Sequence, residues 1–293
     1  MNIIEVFKKF PAQEDCISYL EKVRWGGVPR CPYCRSDNST SLPKEHRHHC
    51  NNCNTSYSVT VGTIFHRTHL SLQKWFLAIS LILNAKKGIS ARQLARDLDV
   101  HRNTAWRISM KIREAMSQRE QRELLTGMVE MDETFIGPRK PRKEYPGQRF
   151  MSGSGHLKQP VVGMAERDGD VVAKMVGKRH LKARKLNSLI RNYVDIKDAI
   201  LLTDQYKGYS KISRFMPHQT VNHSVWYVAP DGITHTNTIE SFWALLKRGI
   251  AGQFHKVSIR HLPMYIDEFC YRFNHRNHPD LFGMTIKRAL GVV

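Results

Sequence analysis

Apolar residues recur along the chain with two different periods, and the change between them divides it into regions. Over about residues 1–28, Ile17, Leu20 and Val23 follow a helical spacing that stops near Gly26-Gly27. From 29 to 66 the chain reads as short polar strands. From 67 to 120 it turns helical, with segments expected at 71–87, 90–98 and 101–118, broken at Gly88 and at Asp99-Val100. Ser90 and Gln93 have the spacing of a capping box at the start of the middle helix.

From 127 to 293 strands and helices alternate. Gly127–Gly137 reads as a strand, and 160–166 with 170–177 as a hairpin about Arg167-Asp-Gly169. Residues 181–194 read as a helix, Ala199–Thr203 as a short buried strand, and 236–249 and 259–275 as helices. The expected fold is multidomain: an N-terminal helical segment, a ribbon over 29–66, a helix-turn-helix-like segment over 67–120 and a mixed α/β domain over 127–293. Within that last domain, 137–158 is a basic loop containing Pro-Arg-Lys-Pro-Arg-Lys and three glycines.

Charge narrows the class. The 293 residues carry 46 Lys and Arg against 26 Asp and Glu, a formal net charge of +20. Such a surplus, present in every region, is suited to a polyanion, and nucleic acid is the commonest one. The longest apolar stretch, Trp75–Leu83, is too short to span a bilayer. The first residues lack a signal peptide's apolar core, so a cytoplasmic, membrane-free location is expected. Six cysteines in such a compartment call for a role other than disulfide pairing.

Four of them supply it. Cys31-Pro-Tyr-Cys34 and Cys50-Asn-Asn-Cys53 are two C-x-x-C knuckles with fifteen residues between them. Each knuckle turns two sulfurs to one side, and four thiolates close a tetrahedral site with no open position. The expected cofactor is a structural zinc ion. Cys16 and Cys270 stand apart and read as packed thiols. His46, His48 and His49 lie inside the ribbon and read as surface or DNA-facing.

In the helical region, the last helix opens with His101, Arg102 and Asn103 and continues through Arg107. Short polar and basic side chains at the start of a recognition helix are placed to reach base edges. Trp106 and Ile108 are expected to face inward.

Three acids stand out in the last region. Asp132 follows an apolar-alternating strand, Asp204 follows the strand Ala199–Thr203, and Glu240 lies on a helix with the apolar face Ile239, Phe242, Trp243 and Leu246. Acids at adjacent strand ends converge on one cleft, and a helix crossing that edge brings in the third. Three carboxylates so placed repel one another without a cation. Two magnesium or manganese ions, about 3.5–4 Å apart in sites of this kind, would clamp an in-line phosphoryl transfer. Glu133 rivals Asp132, but strand alternation puts only one of them on a given face, and Asp132 is preferred.

Taken together, these stretches resemble a known family: the ISXO-type insertion-sequence transposases of the DDE class with an N-terminal zinc ribbon. The resemblance rests on the two cysteine knuckles, Val129-Glu-Met-Asp-Glu-Thr-Phe-Ile-Gly137, Leu202-Thr-Asp-Gln-Tyr-Lys-Gly-Tyr209, His235–Gly252 and His261–Arg276, in the family's order. It implies an RNase H-like catalytic domain with Asp132, Asp204 and Glu240 as metal-binding acids. Lys247, seven positions after Glu240, falls on the family's basic residue; two helical turns put it on the same face, where with Arg248 it would meet DNA. Asn237 and His235 precede the acid; Asn237 would cap the helix or orient a metal-bound water. The implied partners are duplex DNA, as element ends and target, and further copies of the chain, as a dimer or higher assembly in a bacterial cytoplasm. A zinc-ribbon transcription regulator would explain the charge and the thiolates but not the spaced acids. An RNase H-like nuclease would share the acids without joining strands.

Overall fold

The computed structural model describes residues 1–117, 123–137, 158–177, 181–222, 225, 228 and 230–292. The chain forms two compact units: Met1–Glu120 with His275–Val293, and Gln121–Asn274. Most of the expected basic loop, 138–157, lies outside the described residues.

The first unit opens with α1 (Ile3–Lys9) and α2 (Gln13–Trp25), the latter ended by Gly26 in the left-handed conformation at φ +64°. Three short antiparallel strands follow, β1 (Ser39–Leu42), β2 (Arg47–Cys50) and β3 (Thr55–Tyr57). Then come α3 (Leu72–Asn84), α4 (Ala91–Leu98) and α5 (Arg102–Ser117). Ser90 caps α4 by accepting the Gln93 amide, but the Gln93 side chain turns to Asp97 and Arg96, so only half of the expected capping box forms. Asp99 makes the turn into α5 in the left-handed conformation.

Trp106 departs from expectation: it is 40% exposed. The buried stripe of α5 runs through Ala105, Ile108, Ile112 and Ala115, and residue 106 sits about 100° round the helix from 105.

The second unit is built on a five-stranded sheet with order β6-β5-β4-β7-β8. Its strands are β4 (Leu125–Ile136), β5 (Gln159–Glu166), β6 (Val171–Met175), β7 (Val194–Asp204) and β8 (His218–Val221). The first three form an antiparallel meander; β7 runs parallel to β4, and β8 parallel to β7. That is the RNase H-like arrangement. The helix α6 (Ala183–Tyr193) covers one face through Leu186, Leu189 and Ile190 against Val129, Met131 and Leu201. On the other face lie α7 (Asn237–Gly249) and α8 (Leu262–Asn274), whose Ile239, Phe242, Trp243 and Phe269 meet Val161, Ala165 and Val171. Among the described residues, no helix is long and apolar enough to cross a membrane.

The sequence reading carried the α/β domain to residue 293, whereas the chain leaves the second unit at Asn274. The last helix, α9 (Leu281–Ala289), belongs to the first unit. Phe282 closes an aromatic cluster there, with its ring 5.6 Å from Phe76, which itself stands 4.8 Å from Phe10. Two hydrogen bonds fix the helix further: the Ile64 amide donates to Ala289 O at 3.2 Å, and Arg288 donates to Met116 O at 3.5 Å.

One glycine sets how closely α7 approaches the sheet. Gly163 on β5 pairs directly with Asp132 on β4. A β-carbon there would stand 2.5 Å from the Trp243 ring and 2.7 Å from Ile239 Cδ1. Both neighbours are buried and have little room to move. Gly163→Ala is therefore expected to destabilise the second unit by about 1–3 kcal/mol through overpacking. Equilibrium urea unfolding measures this, and an unchanged midpoint would show that α7 has slack against the sheet.

Candidate active site and zinc ribbon

The four cysteines are the best-defined site. Cys31 and Cys50 are buried. Cys31 Sγ lies 3.7 Å from Cys53 Sγ, and Cys34 Sγ 3.5 Å from Cys50 Sγ. All four sulfurs lie within 4.8 Å of one another. A tetrahedron with metal–sulfur bonds of about 2.3 Å has edges of roughly 3.8 Å, so the quartet fits a structural zinc ion. The residue after each knuckle, Arg35 at φ +64° and Asn54 at φ +51°, takes the left-handed turn that brings its two sulfurs together.

The histidines of the ribbon have other partners. His48 is only 7% exposed, so it is not the surface residue expected from sequence. Its Nε2 lies 2.8 Å from Glu21 Oε1 on α2, and its ring stacks on Tyr57. His49 hydrogen-bonds Ser56 and Asn54, and His46 sits 3.4 Å from Glu14.

In the second unit, the register pairs Met131 of β4 with Thr203 of β7, so Asp132 and Asp204 come next on two parallel strands, just past the last paired residues; β7 ends at Asp204, while β4 runs on to Ile136. Asp132 shares a strand face with Glu130, toward α7, while Val129 and Met131 face α6. The Asp132 carboxyl is pushed up to about 6, first by burial and then by the charges of Asp204 and Glu240; the Glu133 amide and the nearby Trp243 indole pull part of that back. Asp204 accepts the Tyr206 amide at 2.9 Å, and Glu240 accepts the Thr236 hydroxyl at 3.0 Å. The three acids share one electrostatic field. Among the described residues, however, only the cysteines form a group of three or more potential metal donors gathered within 4.8 Å.

Glu133 turns to the opposite face, where its Oε1 accepts the Tyr209 hydroxyl at 2.5 Å. Burial pushes its carboxyl up to about 7, with Asp132 and Asp204 adding to the rise. Glu133 also lines a cavity of about 750 Å³ with Phe135, Lys158, Lys247 and His255. Lys247 thus opens onto the end of β4 that follows Asp132, in a cavity that Asp132, Asp204 and Glu240 do not line. Arg248 is exposed and lies outside that lining. In the first unit, His101, just before α5, and Arg102, Asn103 and Arg107 on its first half are all exposed.

Sequence reasoning missed Glu130. This carboxylate is fully buried, with 0% exposure. It accepts the amides of Thr238 and Ile239 at 2.7 and 3.0 Å and the Thr238 hydroxyl at 3.0 Å. Arg167 Nε donates to it at 2.9 Å, and His235 Nδ1 lies 3.2 Å away. The Arg167 guanidinium also donates to the carbonyls of Ile233 and His235 at 2.7 and 3.1 Å. Glu130 therefore satisfies the first free amides of α7 and meets the positive end of its dipole. Asn237, which the sequence offered as a cap, is exposed, and the cap position belongs to Thr236. The available signal was the spacing: an acid two residues before Asp132 lies on the same buried strand face.

Two family models match the chain. One, described as the ISXO2-like transposase domain, matches residues 124–274; the other, a transposase zinc-ribbon domain, matches 11–56. The chain belongs to the ISXO2-like transposases. A relative from Halobacterium salinarum, described as an uncharacterized protein in transposable element ISH50, is 26% identical to the transposase over 263 residues, 83% of this chain and 85% of the relative. Two solved structures are distantly similar. The Mos1 strand transfer complex has 15% identity and a TM-score of 0.32, covering 74% of this chain and 75% of that one. The Mos1 mariner paired end complex with Mn has 14% identity and a TM-score of 0.29, covering 99% and 88%.

Two outcomes follow for the transposase. Removing one partner from a buried charge pair leaves the other stranded, so Glu130→Ala should lower stability by about 3–5 kcal/mol in urea unfolding. A loss below about 1 kcal/mol would mean that Arg167 finds other partners. The second outcome concerns pH. Asp132 and Glu133 hold protons in the native state up to about 6 and about 7, whereas free carboxyls release them near 3.8 and 4.5. Between about pH 4 and 7 the native state binds more protons than the unfolded chain, so stability falls as pH rises. Thermal unfolding without added divalent metal should show that fall, and Asp132→Asn should flatten it.

Proposed function

We propose that this transposase binds the ends of its element as duplex DNA, cleaves them by hydrolysis and joins the freed 3′-hydroxyl to target DNA. The proposal places the reaction at Asp132, Asp204 and Glu240. One observation carries it: Asp132 is half-buried on the central strand of the sheet, with the charges of Asp204 and Glu240 both raising its proton affinity. Carboxylates held in mutual repulsion are a site that a cation stabilises.

Oxygen donors of this kind suit magnesium or manganese, and two such ions would supply the Lewis acidity that activates the attacking oxygen and steadies the leaving one. In this reading Asp132 is held within β4 and Asp204 at the end of β7. Glu240 comes from the first turn of α7, whose position Glu130 fixes. Lys247, two turns further along α7, meets a phosphate in the cavity it shares with Phe135 and Lys158. Glu133, on the strand face opposite Asp132, supports Tyr209 at the edge of that cavity. His101, Arg102, Asn103 and Arg107 meet DNA from α5, and Arg248 meets it from α7. The zinc ribbon carries no open position for chemistry and serves to fold its own module. Joining two ends to one target needs both ends held at once, so the working form is a homodimer or larger assembly on DNA.

Asp204→Ala is the decisive variant. It should bind a duplex carrying the element's terminal sequence within a few-fold of the wild type, yet neither nick nor join it in magnesium. Cleavage by that variant would remove Asp204 from the site. Cleavage without joining by the wild type would make the protein a nuclease.

A further inference from the structure

Between the zinc ribbon and α3, the chain passes along the side of α5 and leaves a groove of about 510 Å³. One wall is the loop His66-Arg67-Thr68-His69, and the other is the face of α5 that carries His101, Arg107 and Lys111. No acidic residue lines it. Among the described residues, none of its three permanent cations is in an ion pair.

The loop wall is built rather than loose. The Thr68 hydroxyl accepts the Trp75 indole N–H at 2.9 Å and the Leu70 amide at 3.1 Å. The amides of His66 and Thr68 donate to the carbonyls of Thr63 and Phe65 at 3.1 and 3.3 Å. Within this frame Arg67 is held at φ +54°, a left-handed conformation that arginine adopts only against its steric preference. A long cationic side chain kept in a conformation that suits glycine points to a use for the side chain.

We propose that this groove is a clamp for the phosphates of one DNA strand, separate from the base-reading start of α5. The inference rests on the reading of α5 as a DNA-facing helix. Arg102, Asn103 and Trp106 are exposed on that helix outside the groove lining, where a major groove would receive them. The strand bordering that major groove then runs past a flank of the helix. The two opposed cationic walls offer it Arg67 from one side and Arg107 and Lys111 from the other. Phosphate contacts of this kind fix register and affinity and carry no sequence information.

The test is the salt dependence of binding to a duplex carrying the element's terminal sequence. Removing one cation from a phosphate lowers the slope of log K against log salt by about 0.9, which is about five-fold in affinity near 0.15 M salt. Arg67→Gly should reduce the slope by about one such unit, and Arg67→Gly combined with Lys111→Ala by about two. Glycine takes the left-handed conformation freely, so Arg67→Gly should melt no lower than the wild type, and weaker binding then reports the missing guanidinium rather than a damaged fold. Asn103→Ala should keep the wild-type slope and change sequence preference instead. Wild-type slope and affinity in Arg67→Gly would overturn the clamp while leaving end binding intact. A wild-type protein that binds no such duplex would overturn the clamp together with the reading of α5.

Discussion

The second unit is organised about one buried carboxylate that anchors a helix to the central strand. Glu130 lies in the middle of the central strand, out of contact with water, and receives two backbone amides, a hydroxyl and an arginine. A buried carboxylate without partners would be costly, and a helix N-terminus without acceptors would be costly too; each satisfies the other. Two residues further along the same face is Asp132, and Glu240 directly follows Ile239, the second of the amides that Glu130 holds. Both acids are thus positioned from one anchor. Gly163 completes the arrangement by clearing space for Trp243, so that α7 can lie close enough for the anchor to reach it.

The first unit solves a different problem. Its ribbon has three strands of three or four residues and a cluster of Cys31, Cys50 and Tyr57 at its centre. A module that small lacks the apolar area to offset its own ordering, and its four converging thiolates fit a structural metal ion that would make up the difference. The buried His48 then joins the ribbon to α2 through Glu21 and Trp25. The helices beside it have a core of ordinary kind, made of the rings of Phe10, Tyr19, Phe76 and Phe282.

What could be read from sequence alone followed the range of the forces involved. The zinc knuckles were legible because their geometry is local, four residues at a time. Strong periodicity gave α3, α4, α5, α7 and α8 and the β5–β6 hairpin. It did not give β8, whose His218, Gln219, Thr220 and Val221 show no apolar alternation and are a strand only because β7 lies beside them. Nor did it extend β7 back to Val194, since Asp195, Lys197 and Asp198 break the apolar run before Ala199. Trp106 was misplaced because bulk suggested burial where phase decided otherwise. Asn237 was favoured as a cap by a rule that looks three residues away, while the acceptor that fills the role stands more than a hundred residues back along the chain, on β4. The acids Asp132, Asp204 and Glu240 drew their specificity from motif resemblance; the structure adds the electrostatic coupling of Asp132 to the other two.

The return of α9 to the first unit bears on how the protein comes into being. The first unit is written in two pieces, with the whole of the second unit between them. On the ribosome, α1, α2 and α3 emerge early but must wait for Phe282 before their aromatic core is closed. The second unit, contiguous from Gln121 to Asn274, has its full sequence available sooner. Synthesis thus completes the chain segment bearing the acids before the segment bearing α5 can be finished. A product cut short after the second unit would contain every acid of the proposed site and still lack the helix that completes its partner.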